Sequence, residues 1–147
     1  MSDQISVTIT RQDKYRFLVD YGSGLPTSVA DEPAPLGDGE GPSPSHMLAA
    51  SVANCLAASL VFAHGKFKED PGHLTATAVC RIGRNDRNRL RVVGIDVSLT
   101  LGVAPETLAH LDRALAQAGT GSLPDPTEHP VVQLHCVGTT HSRASVD

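Results

Sequence analysis

Tryptophan is absent from the 147 residues, and all aromatic residues together make up 3% of them. The core must therefore be built from Ala, Val, Leu and Ile, which bury less area per side chain than rings do. Such a small-residue core predicts that part of the burial comes from a partner subunit. Few aromatics also means few platforms for stacking bases. The twelve Lys and Arg residues, on a chain of net charge -4, read as dispersed rather than gathered into a patch. Both features argue against nucleic-acid binding. There is no Cys-x-x-Cys pair. The three cysteines, Cys55, Cys80 and Cys136, are odd in number and widely spaced. That argues against a disulfide framework and for reduced thiols. The N-terminus carries no basic run leading to a small-residue cleavage site, so a cytoplasmic location is expected.

What is present is enough for one domain spanning 1–147, with 40% hydrophobic residues. Ile5, Val7 and Ile9 alternate with Ser6, Thr8 and Thr10. After RQDK the alternation resumes at Tyr15, Phe17, Val19 and Tyr21. This predicts a β-hairpin. Gly22 to Ser43 is a long Gly/Pro-rich stretch carrying Asp31, Glu32, Asp38 and Glu40. Its simplest reading is a solvated cover, with a loop edging a site or crossing to a second subunit as the alternatives, and SVAD as a short third strand.

Ser43-Pro44 is a helix start, with Ser as N-cap and Pro at the first helical position. The helix should run to about His64 and stop at Gly65. From Met47 to Ala63 it carries no charge and is apolar nearly all round. Ser51, Asn54, Ser59 and many alanines argue against a membrane span. A central helix covered by sheet or by a partner fits better.

Further on, Leu74, Ala76, Ala78, Cys80 and Ile82 share one strand face. Across a polar turn, Val93, Ile95, Val97, Leu99 and Leu101 share another. A second helix is expected from Pro105 to Gly119, and PVVQLHCVG reads as a last strand. The expected order is β-β-(β)-α-β-β-α-β, an α+β domain of antiparallel hairpins around a long central helix.

Gly41, Pro42, Pro44, Leu48, Ala49, Ala50, Ala53 and Cys55 resemble the helix motif of the OsmC/Ohr family (osmotically inducible protein C and organic hydroperoxide resistance proteins) at matching spacing. RLRVVGIDVSLTL is similar to a family strand. The resemblance implies an intertwined homodimer whose long helices pack together. It also implies reduction of organic hydroperoxides by a peroxidatic thiolate, with no cofactor. Cys55 matches that thiol. Ser45 stands where the family has a carboxylate, and Ser122 stands where the resolving cysteine is expected. An external thiol reductant would then be needed. Arg16, or Arg11, is the nearest arginine in sequence for stabilising the thiolate. Leu48, Val52 and Leu56 would offer an apolar wall to the substrate. The other reading of the same fold is a non-catalytic dimer that binds a small molecule or a partner.

The structural reading of Cys55 is a small buried hydrophobe, and the same holds for Cys80 and Cys136. His129, His135 and His141 do not make a metal site. Six residues of strand put the first two about 20 Å apart. His46 lies about 13 Å along the helix from Cys55, too far to serve it as a base within one chain.

Overall fold

The computed structural model describes residues 3–102, together with the backbone of 121–122 and 131–136. The elements are β1 (Thr8–Asp13), β2 (Arg16–Asp20), β3 (Ser28–Ala30), α1 (Pro44–Gly65), β4 (Leu74–Arg84), β5 (Leu90–Leu101), β6 (Gly121–Ser122) and β7 (Val131–Cys136). They divide into two compact units, Met1–Leu48 and Ala49–Asp147. The helix expected from Pro105 lies outside the described residues. The two-residue β6 has no counterpart in the order expected from sequence.

In the first unit, β1-β2-β3 form an antiparallel sheet. The strand runs through the RQD of the expected turn to Asp13. Lys14 takes a left-handed φ of 40° in the tight turn that follows. Val19 and Ala30 are buried here. The acidic stretch is not a loose cover, because Asp31 is buried and organises it. Its carboxylate accepts backbone N–H groups from Glu32 (2.9 Å), Asp38 (3.2 Å) and Glu40 (3.2 Å). Two glycines make room. A Cβ on Gly37 would strike the Asp31 carboxylate, and one on Gly41 would strike the Val29 carbonyl. Burial by itself would raise the Asp31 pKa. The three N–H donors, with help from the charge of Arg16, outweigh burial and hold it below the ordinary aspartate value.

The helix starts as its sequence dictates. Ser43 Oγ caps the N–H of His46 (3.4 Å), and the Ser43 N–H reaches back to His46 Nδ1 (3.3 Å). This is a capping box with histidine in the place usually held by Glu or Gln. At the other end, the His64 carbonyl accepts the N–H groups of Phe67 and Glu69. The fully buried His64 ring meets Glu69 Oε2 at 3.0 Å through Nδ1.

In the second unit the sheet order is β4-β5-β7-β6, antiparallel throughout. Ala53, Leu60 and Ala63 of α1 pack on Ile95, Val97, Leu99 and Leu101 of β5. Leu74, Ala76, Ala78 and Cys80 of β4 join this core. Each fully buried large aliphatic side chain contributes roughly 1.5–3 kcal/mol. The strand faces differ from the sequence expectation at the distal end. Arg81 pairs with Gly94 but Ile82 pairs with Val92, so Val93 is an extra residue on β5. This bulge reverses the alternation beyond it. Val92 packs on the core and Val93 turns to solvent at 46% exposure, while Ile82, opposite Val92 on the unbulged β4, is 55% exposed because the core ends before it.

Candidate functional site

Cys55 lies about three turns into α1, which begins at Pro44. At about 100° per residue, Cys55, Ser59, Phe62 and Lys66 share a sector roughly 60° wide, about 110° round from the row that packs on the sheet. Cys55 is accordingly exposed. The reading of it as a buried hydrophobe does not hold. It opens on a groove of about 540 Å³ lined by Ala58, Ser59, Phe62, Ala63 and Lys66 besides itself. Lys66 Nζ stands 4.9 Å from the centre of the Phe62 ring, a cation–π contact. Phe62 lies seven residues beyond Cys55, or about 10 Å along the axis. The groove thus runs from a thiol, past a hydroxyl and apolar walls, to an ammonium resting on an aromatic face.

The other residues singled out from sequence fall in different places. Val52 and Leu56 pack against the sheet core. Leu48 is 45% exposed. None of the three lines the groove. Ser45 is the second helical residue and half-buried. Arg16, on β2, acts on Asp31. The Arg11 side chain donates to the Lys14 carbonyl. His46 is committed to the helix cap. Ser122 is on β6, opposite Gln133 of β7.

Cys80 is half-buried on the core side of β4. Cys80, Ile95 and Cys136 lie in one row across three strands. Two inter-strand steps separate the cysteine backbones by about 10 Å, more than a disulfide spans. His135 pairs in register with Asp96. His129 and His141 lie outside the described residues. Among the described residues, no group of three or more His, Cys, Asp or Glu could hold a metal ion.

Two features carry no clear sequence signal. The groove could not be placed because a helix apolar all round shows no stripe to orient it. Lys66, beyond the helix stop, could be found only from its eleven-residue spacing to Cys55, three helical turns. The helix is long and apolar enough to cross a membrane by length and composition. One of its faces is nevertheless packed on a sheet.

The architecture defines an α+β protein in which a long helix lies on an antiparallel sheet. More narrowly, it has the OsmC-like fold. It is similar to the solved structure of an osmotic stress induced and detoxification response protein from Psychrobacter arcticus 273-4. The TM-score is 0.63 at 20% identity, over 78% of this chain and 85% of that one. It is also similar to an OsmC-like protein of unknown function from Vibrio cholerae O1 biovar eltor strain N16961. There the TM-score is 0.65 at 17% identity, over 80% and 88%. No protein-family model and no curated protein matches the sequence.

Proposed function

We propose that the protein is a thiol-dependent redox protein of the stress-detoxification type, reducing organic hydroperoxides through Cys55. The observation that carries this reading is the exposure of Cys55 on a groove with apolar walls. A thiol needs access to meet a peroxide, and an apolar wall selects an organic one.

The Cys55 sulfur, as thiolate, attacks one peroxide oxygen. The S–O bond forms as the O–O bond breaks, and the departing alkoxide takes a proton to give the alcohol. Cys55 is left as a sulfenic acid. An external thiol condenses with it, releasing water and forming a mixed disulfide. A second external thiol restores Cys55 and leaves as a disulfide. Ser45 and Ser122 supply neither carboxylate nor resolving thiol to this cycle.

The uncovered part of α1 favours a homodimer paired along the helices. Val61, 47% exposed, lies about 120° round the helix from Cys55, so a partner helix can cover it while the groove stays open. A dimer by light scattering at micromolar concentration is the expected result. A monomer would remove this part of the reading.

Dimedone labelling after cumene hydroperoxide tests the chemistry. The expected result is labelling at Cys55, with peroxide consumption that Cys55→Ser abolishes. An unlabelled Cys55 with peroxide left intact would sink the enzyme reading. The alternative, a small-molecule-binding module, draws on Lys66 lying over Phe62. It predicts that the Cys55→Ser variant keeps its ligand affinity and loses no cellular peroxide resistance.

A further inference from the structure

The β4–β5 hairpin outruns its core. Core packing reaches Cys80 on β4 and Val92 on β5, and residues 84–91 are all exposed. This arm holds Arg84, Arg87, Arg89 and Arg91 against one acid, Asp86. The sequence reading of dispersed cations is therefore corrected, since the hairpin gathers charges that the chain's acidic total conceals.

The tip is a built turn. Asn85 Oδ1 accepts the N–H groups of Arg87 and Arg89, each at 3.0 Å. The Asn88 N–H donates to the Asn85 carbonyl (2.8 Å), and the Arg84 guanidinium holds the Asn88 carbonyl (2.8 Å). Little ordering is left to be done on docking. Every cation on the arm is arginine. Between the arginines stand exposed apolar side chains, Ile82 at 55% and Leu90 at 59%. Arginine interleaved with apolar groups, without lysine, is the composition of a protein interface more than of a phosphate track.

The complementary surface is in the same sequence. Met1–Leu48 has three Lys/Arg against seven Asp/Glu, so it carries the whole net charge of -4. Among these acids, Asp20 and Glu40 are exposed. The unit also leaves Ile5, Val7 and Ile9 at 89%, 50% and 60% exposure. We infer that the arginine arm of one copy docks on the acidic N-terminal unit of a second copy. This rests on the homodimer of the preceding section and adds what orients it: opposite charges across the interface fix register and partner choice.

The test is the dimer dissociation constant of the full chain, by sedimentation, from low to high salt. The wild type should weaken at least about tenfold between 50 and 500 mM NaCl, as screened charge pairs require. The triple variant R84E/R87E/R89E should weaken tenfold or more at low salt, with an unchanged far-ultraviolet spectrum. Adding D20R/E40R to the triple variant should restore a substantial part of the loss. A dimer indifferent to both salt and charge reversal overturns the arm's role while leaving the homodimer standing. A chain monomeric at every salt and concentration removes the homodimer itself, and the arm's partner with it. Binding of wild type to a short DNA duplex, lost in the triple variant while the dimer is unchanged, would overturn the inference in favour of nucleic acid.

Discussion

The two units of this chain are held by different physics. Ala49–Asp147 is organised by apolar burial, with Leu60, Val97 and Leu99 almost wholly shielded between helix and sheet. Met1–Leu48 buries few hydrophobic side chains. Its long loop is closed instead by one carboxylate, Asp31, on three backbone donors. Apolar burial is non-directional and insensitive to pH. A carboxylate on N–H groups is directional and fails when protonated. The two units should therefore respond to different insults.

The largest expected effect is in the second unit. Leu60→Ala or Leu99→Ala should cost about 2–5 kcal/mol by denaturant unfolding. The cost should be the same at pH 4 and pH 7. A loss under about 1 kcal/mol would mean that this helix–sheet contact does not organise the unit.

Asp31→Asn comes next and acts on the first unit. The folded pKa of Asp31 is depressed, so its stabilisation is fully present above the ordinary aspartate value near 4. It is lost as pH falls through that value toward the depressed one. Amide exchange at Glu32, Asp38 and Glu40 should show an acid-induced loss of protection in the wild type. In the variant, protection should be low at every pH. An identical acid profile in the two proteins would break the contrast between the units.

Ser43→Ala removes the helix cap and should cost about 1 kcal/mol, read as a lower unfolding midpoint. Because His46 also leans on Ser43, Ser43→Asp should recover most of the loss. The smallest effect belongs to the exposed Arg81–Asp96 pair at 3.0 Å. Arg81→Ala should change stability by roughly 0.2–1 kcal/mol, and by less in high salt. A larger loss would show that the sheet's outer face, too, depends on polar contacts.

Much of the fold was legible because its signals are local. Alternation marked the hairpins, Ser43-Pro44 marked the helix start, and SVAD marked the third strand. The misses share a different cause. Strict alternation puts Val93 on the core face, and one bulge residue on β5 reverses it, while Ile82 keeps its face but lies beyond the end of the core. The loop around Asp31 read as solvated because acidic and Gly/Pro-rich composition does not reveal which carboxylate turns inward. Its donors lie up to nine residues away. The arginine arm was masked by averaging charge over a chain whose acids sit mainly in the other unit. The placement of Val52 and Leu56 away from the groove likewise depends on how the helix is rotated.

By itself the sequence determined the order of the elements from β1 to β5, the limits of α1, and the similarity of GPSPSHMLAASVANC to one family's helix motif. Those depend on propensity, capping and spacing along the chain. Only the tertiary structure decided that Cys55 faces a groove and that Leu60 faces the sheet. A helix apolar on every side has no intrinsic inside. Its rotation is fixed by which side chains fit the row from Ile95 to Leu101, and that contact exists only once the strand has folded against it.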